Sequence, residues 1–317
     1  MEYMRLAVTD RCNLRCFYCM PHEGMKFVPR KELLSYEEML RLTRILVELG
    51  IKKVRITGGE PFVRKNMYGF LKRLTSIDGL EKVNITTNGA VANRHIPFLK
   101  EIGIDTINLS LDTLDKAKFE EITRKDFFDS AISTYKAVLA AGMKLKVNMV
   151  VLADKNKDDI LPMAMLTKND PVSIRFIEEM PFNGTGERDV SFMNHKEILN
   201  HLKQHLPKMT LLDSKAGSTA KNYAIKGHKG NVGIIAAWSR TFCNDCNRIR
   251  VTATGGLKNC LYDNGVLDLK RMLSDGSSDK MIKEAISEAY SKKLKDGFES
   301  EKQRLSNITE SMSSIGG

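Results

Sequence analysis

The stretch Thr9-Asp10-Arg11-Cys12-Asn13-Leu14-Arg15-Cys16-Phe17-Tyr18-Cys19-Met20-Pro21 closes a short apolar run and spaces three cysteines as C-x3-C-x2-C. Three thiolates this close can hold a metal cluster but cannot complete it. A [4Fe–4S] cubane takes four ligands, so one iron stays open for an outside chelator. The chemistry run at such an iron belongs to the cofactor, and the chain supplies position and electrostatics. A structural zinc site would need a fourth nitrogen or sulfur ligand, and His22 is the nearby candidate.

The remaining cysteines, Cys243, Cys246 and Cys260, form a second incomplete triplet, C-x2-C-x13-C. Gly255-Gly256, set between two apolar stretches, predicts a hairpin that folds Cys260 back beside the first pair. Zinc ribbons also use C-x2-C, but two triplets that consume all six cysteines are better explained by two clusters, each with one open iron. Thiols kept for metal argue for a reducing compartment rather than for disulfides. Met1-Glu2-Tyr3-Met4-Arg5 lacks the apolar core of a signal peptide. No run approaches the ~18 apolar residues of a membrane helix. A soluble cytoplasmic protein without a membrane partner is expected, and its 317 residues can bury a full core.

Lys and Arg number 50 against 39 Asp and Glu, a net charge of +11. Lys292-Lys293 reads as a solvated helix face. Arg5, Arg11, Arg15, Arg55, Lys146, Arg248 and Arg250, in contrast, fall on predicted strand ends or cysteine loops, which points to a small anionic ligand. A polynucleotide would be met by a basic helix or arm with stacking aromatics. With aromatics at 7 % and Trp238 the single tryptophan, no nucleic-acid partner is expected.

Outward from the first triplet, short β-rich runs alternate with amphipathic helical runs. Strands are expected at 5–9, 53–57, 82–87, 106–111, 144–151 and 172–177. The clearest helix, 35–49, opens with a capping box of Ser35 and Glu38, carries Met39, Leu42, Ile45, Leu46 and Leu49 on one face, and stops at Gly50. Others are expected at 67–76, 94–102, 128–141 and 158–167. Such alternation calls for a parallel sheet with right-handed crossovers. Six strands fall short of the complete eight-stranded barrel, so the fold class is α/β, a partial (βα)6 TIM-like barrel.

Reactive groups in parallel βα folds gather at the carboxyl ends of strands. The first triplet, Thr57-Gly58-Gly59-Glu60-Pro61, Thr86-Thr87-Asn88-Gly89, Ser110-Leu111-Asp112 and Glu178-Glu179-Met180 all lie there, with Asn148 on the fifth strand. The division expected is a barrel at 1–190 and a smaller C-terminal α+β domain at 191–317. The latter holds a helix near 195–205, a strand at 232–238, the second cysteine hairpin and two C-terminal helices. The terminal Ile315-Gly316-Gly317 can thread a channel too narrow for any side chain.

The motifs T-D-R-C-N-L-R-C-F-Y-C-M-P, R-I-T-G-G-E-P, T-T-N-G, N-L-S-L-D, V-N-M-V, R-F-I-E-E-M, C-N-D-C-N-R-I-R-V-T-A-T-G-G-L-K-N-C-L and the final I-G-G resemble, nearly end to end, the GTP 3′,8-cyclase family. That family opens molybdenum-cofactor biosynthesis. The first motif, with Tyr18 before its third cysteine, is the general radical-SAM signature. The second cysteine set, followed by Arg248 and Arg250, and the Gly-Gly end single out the cyclase.

The resemblance implies two [4Fe–4S] clusters, one on Cys12, Cys16 and Cys19 and an auxiliary one on Cys243, Cys246 and Cys260 that accepts the guanine. It implies a site for S-adenosylmethionine (SAM) at Tyr18, Gly58, Gly59, Glu60, Ser110 and Met180, and GTP contacts from Arg5, Arg55, Thr86, Lys146, Arg248, Ile249 and Arg250. Gly316 and Gly317 join Arg248 and Arg250 at the reacting end. Further implications are a flavodoxin- or ferredoxin-type reductant, a downstream cyclic pyranopterin monophosphate synthase, and a homodimer as one assembly. Family chains carry a further segment ahead of the strand that begins here at Met4. The rivals are a peptide-modifying radical-SAM maturase, which would hold more cysteines in its C-terminal part, and a zinc-bearing nucleic-acid-binding protein.

Overall fold

The computed structural model describes the chain except residues 22–23, 185–191, 214–216, 244–245, 305–309 and 317. His22 and Gly317, both singled out above, lie outside the described residues. β1 (Tyr3–Ala7), β2 (Lys53–Thr57), β3 (Lys82–Thr87), β4 (Thr106–Ser110), β5 (Lys144–Val151) and β6 (Val172–Glu178) lie side by side in that order, all parallel. This is the expected partial barrel. The first strand starts earlier than the apolar run suggested, because Tyr3 and Met4 already pair with Lys53 and Val54.

The helices between the strands cover the sheet's outer face. α1 (Tyr36–Glu48) has the expected capping box: the Ser35 side chain accepts from the Glu38 amide, and Glu38 accepts from the Ser35 amide. It buries Met39, Leu42, Ile45 and Leu46. α2 (Met67–Thr75) follows β2. The helix expected at 94–102 begins as a 3-10 turn and becomes α3 (Ile96–Glu101), with Pro97 in its first turn. α4 (Lys116–Thr123), unforeseen, is capped by Asp115, whose side chain accepts from the Lys118 amide. α5 (Phe128–Ala140) precedes β5.

The barrel strands alternate, but in the opposite sense to a filled barrel. Leu145, Val147, Met149 and Val151 of β5 are buried in the apolar core against the helices, while Lys146, Asn148 and Val150 face the lumen half-buried. β6 repeats this, with Ile174 and Phe176 in the core and Arg175 inward. The hydrophobic core therefore sits between sheet and helices, and the lumen face carries charged and amide side chains among apolar ones such as Val150 and Ile177.

The strands after residue 191 join the same sheet. β7 (Met209–Leu211), β8 (Lys221–Ile225) and β9 (Asn231–Ile235) form a meander whose last strand pairs in parallel with β6. At the other edge, β10 (Arg248–Val251) pairs in parallel with β1 and turns at Gly255 into β11 (Gly256–Lys258), with β12 (Leu267–Asp268) outermost. Among the described residues the result is one twelve-stranded sheet. Four helices follow among the described residues where two were expected: Leu269–Ser274, Asp279–Ser291, Gly297–Lys302 and Met312–Ile315. The last returns to the barrel mouth, where the Met312 amide donates to Phe182 O at 2.8 Å.

Candidate active site

The first cysteine loop is laced to its neighbours by main-chain bonds. Arg15 N donates to Thr123 O at 2.9 Å and Phe17 N to Ile122 O at 3.2 Å, so the end of α4 props it. Gly59 N donates to Thr9 O and Glu60 N to Arg11 O, each at 2.8 Å. This close approach requires glycine, since a Cβ on Gly58 would lie 2.3 Å from Thr9 O and one on Gly59 would lie 2.2 Å from Arg11 O.

Glu60 is fully buried and accepts from Thr87 Oγ1 and from the Asn88 and Phe62 amides. It thus ties the turn after β2 to the end of β3, and burial raises its pKa to about 7. Tyr18 OH donates to Asp112 Oδ2 at 2.6 Å, and Asp112 Oδ1 accepts from the Val150 amide at 2.8 Å. Burial lifts Asp112 to about 6.

All six cysteines are free thiols, and all line one cavity of about 280 Å³. Amide hydrogens already point at the sulfurs: Leu14 N and Asn88 Nδ2 at Cys12, and Tyr262 N at Cys260. Hydrogen bonds to sulfur of this kind tune cluster thiolates, so the donor set fits iron–sulfur ligation. Among the described residues no three His, Cys, Asp or Glu side chains are set to grip a single metal ion.

The two triplets differ in charge. In the first, burial pushes Cys12 to about 11, with Glu60 adding to the rise, and burial likewise drives Cys16 and Cys19 upward. In the second, burial raises Cys243, whereas at Cys246 the Arg248 and Lys293 cations outweigh burial and bring the thiol down to about 7. Lys293 Nζ donates to Cys246 O at 2.8 Å.

Of the residues marked from sequence, Arg5, Tyr18, Arg55, Gly58, Gly59, Thr86, Ser110, Met180, Arg248 and Arg250 line the same cavity. Glu60 stands behind the wall. Lys146 faces the lumen, where burial, with Arg175 and Arg55 adding, lowers it to about 7. Ile249 points the other way, fully buried in the core, so any contact it makes with a cavity ligand runs through its main chain. The chain's end reaches in as well: Arg250 donates to Gly316 O, and a Cβ on Gly316 would lie 2.7 Å from Thr57 Cγ2.

Asn148, marked from sequence on the fifth strand, also lines the cavity. The residues missed from sequence are Arg175, which lines it too, and Tyr3 and Lys53 nearby. Burial would raise the Tyr3 phenol, but Arg55, Arg5 and Lys53 outweigh it and hold it near about 8. Arg5 Nε, Arg55 Nε, Arg175 Nε, Arg248 Nε, Thr86 Oγ1 and Asn148 Oδ1 are buried with no hydrogen-bond partner. Orphaned polar atoms are rare in a finished interior, and here they converge on one cavity.

Residues 6–166 match the model of the radical SAM superfamily and residues 172–298 that of Molybdenum Cofactor Synthesis C. The chain is 40% identical over 92% of its length to molybdenum cofactor biosynthesis protein 1 of Drosophila melanogaster, covering 52% of that protein. It is 39% identical over 92% of its length to GTP 3′,8-cyclase of Pelotomaculum thermopropionicum, covering 91% of it. It is 38% identical to the mitochondrial GTP 3′,8-cyclase of Arabidopsis thaliana, covering 75% of that protein. The chain spans about half the length of several animal relatives. In fold it is similar to Streptococcus suis SuiB bound to S-adenosylmethionine, with a TM-score of 0.60 at 17% identity, over 89% of this chain and 67% of that one. Among the described residues no helix is long and apolar enough to cross a membrane. A radical SAM chain works with an iron–sulfur cluster and S-adenosylmethionine, and the chain described here belongs to the GTP 3′,8-cyclase family of that superfamily.

Proposed function

We propose that this protein converts GTP to (8S)-3′,8-cyclo-7,8-dihydroguanosine 5′-triphosphate, as a radical SAM lyase at the first step of molybdenum-cofactor biosynthesis. One observation carries the reading: both cysteine triplets and a convergent set of unpaired arginines open onto a single cavity. When bound, the cluster on Cys12, Cys16 and Cys19 and its SAM supply a 5′-deoxyadenosyl radical able to take hydrogen from ribose C3′. The second triplet, Cys243, Cys246 and Cys260, fits an auxiliary [4Fe–4S] cluster that receives the guanine.

The chain's own residues do the holding. Gly58 and Gly59 let the β2 turn lie against the cysteine loop, leaving room for the methionine end of SAM beside Tyr18, Ser110 and Met180. Arg5, Arg55, Arg248 and Arg250, with Lys146, Thr86 and the newly found Arg175, grip the triphosphate through charge-assisted, bidentate hydrogen bonds. Gly316 meets Arg250 at the reacting end, and Gly317 shares its catalytic role. On this reading 1–190 supplies the radical site and much of the phosphate grip, and 191–317 the auxiliary cluster with Arg248 and Arg250. A flavodoxin or ferredoxin reduces the first cluster, a cyclic pyranopterin monophosphate synthase consumes the product, and the enzyme works in the cytoplasm as a homodimer.

The test is anaerobic reconstitution followed by dithionite, SAM and GTP, with mass analysis of the nucleotide. Formation of the cyclised nucleotide together with 5′-deoxyadenosine is expected. SAM cleavage with GTP returned unchanged overturns the proposal.

A further inference from the structure

Five arginines that line the cavity, Arg5, Arg55, Arg175, Arg248 and Arg250, have no carboxylate partner among the described residues. Burial, with repulsion from neighbouring arginines adding and Tyr3 opposing at Arg5, lowers Arg5 to about 10 and Arg250 to about 9. Lys146 and Lys53 sit in the same field, the first facing Arg175 and Arg55, the second facing Arg55 and Arg175 across the Tyr3 ring. The one carboxylate on the cavity wall among the described residues is Asp112, and both its oxygens are already taken, by Tyr18 OH and the Val150 amide.

Nucleoside triphosphates usually travel with Mg²⁺. Protein sites that take them in that form hold the ion through one or two carboxylates plus the phosphates, and the ion keeps several waters. Those waters turn hydrogens outward and need acceptors, whereas guanidinium and ammonium groups offer donors only. The unpaired acceptors on this wall among the described residues are the amide oxygens Asn148 Oδ1 and Asn259 Oδ1 and the hydroxyl oxygen Thr86 Oγ1. These are neutral and leave the excess positive charge standing.

We infer that this site takes its triphosphate free of divalent cation, the arginines and lysines standing where Mg²⁺ would. The inference rests on the GTP reading above. It makes Mg²⁺ a competitor: the ion binds the free nucleotide and removes the form the protein recognises.

The experiment is equilibrium dialysis of the reconstituted full chain against GTP, and separately against inorganic triphosphate. Free Mg²⁺ is varied from chelator-stripped buffer upward at constant ionic strength, so that screening is fixed. Once the metal holds most of the ligand, apparent affinity should weaken about tenfold for each tenfold rise in free Mg²⁺, the slope mass action requires. Affinity that is flat or stronger with Mg²⁺ overturns the inference. Should GTP fail to bind at every Mg²⁺ level, the GTP reading falls. The inorganic triphosphate series then decides the metal question by the same slope: a unit slope supports the cation-free site, and a flat one overturns it.

Discussion

The rim around the first cysteine triplet and the lumen around the second share one cavity yet stand against different charged groups. Behind Cys12, Cys16 and Cys19 stand Glu60 and Asp112, two buried carboxyls with pKa values raised to about 7 and about 6 by burial. Around Cys246, and along β1, β2, β5, β6 and β10, stand arginines and lysines, and there the thiol itself is drawn down to about 7 against burial. Each region is the wrong place for the other's proposed ligand. SAM is a sulfonium cation with a methionine end, whereas a triphosphate is a polyanion. Charge in this barrel is sorted by region, so two ligands can enter one cavity and still find separate ends.

The largest break in that comparison comes from the cysteines. Replacing Cys12, Cys16 and Cys19 together with Ala should cut iron from about eight to about four atoms per chain and end SAM cleavage. Cys260→Ser should leave SAM cleavage and stop cyclisation. Iron assays and 5′-deoxyadenosine yields check both, and a triple variant that keeps its full iron removes the first site from the comparison.

A smaller effect is expected at the cationic end. Arg175→Ala and Arg250→Ala should each weaken GTP binding by about 1.5–3 kcal/mol, the scale of a lost hydrogen bond to a charged group, with iron unchanged. Titration calorimetry reads this. A variant that loses iron while binding GTP normally would make that arginine part of the cluster's frame.

The smallest effect is a proton. Lys146 is lowered to about 7 by burial first, then by Arg175 and Arg55. Since the folded value lies below the unfolded one, its cost to stability is complete below about 7 and is relieved as pH rises toward the unfolded pKa. A bound triphosphate pushes the pKa back up, so binding takes up a proton and GTP affinity falls as pH rises above about 7. Calorimetry at pH 8 in two buffers of different ionisation heat should show this uptake in the native protein and a smaller one in Lys146→Met, where Tyr3 still titrates at about 8.

The sequence revealed the sheet well because β2, β3 and β5 are bounded by turn residues and contrast sharply with the amphipathic helices between them. α4 escaped because it is short and its apolar positions are few, though Asp115 is a residue type favoured at the N-cap. The edges were harder. Nothing local in Asn231–Ile235 says that it will lie beside β6, or in Arg248–Val251 that it will lie beside β1, since register is a long-range outcome. At the site, Arg5 and Arg55 were legible from motifs, while Tyr3, Lys53 and Arg175 were not. The side-chain alternation that placed Arg248 and Arg250 on one face would have found all three, being two residues from Arg5, two from Arg55, and between Ile174 and Phe176.

The outward-facing apolar rows have an evolutionary consequence. Packing constrains only every second residue of each strand, those under the helices, while the residues between them answer to whatever occupies the lumen. Such a sheet is written in two interleaved frames, one heritable as fold and one as specificity. Descent with a new ligand requires edits in a single frame, and the other can stay silent through the change.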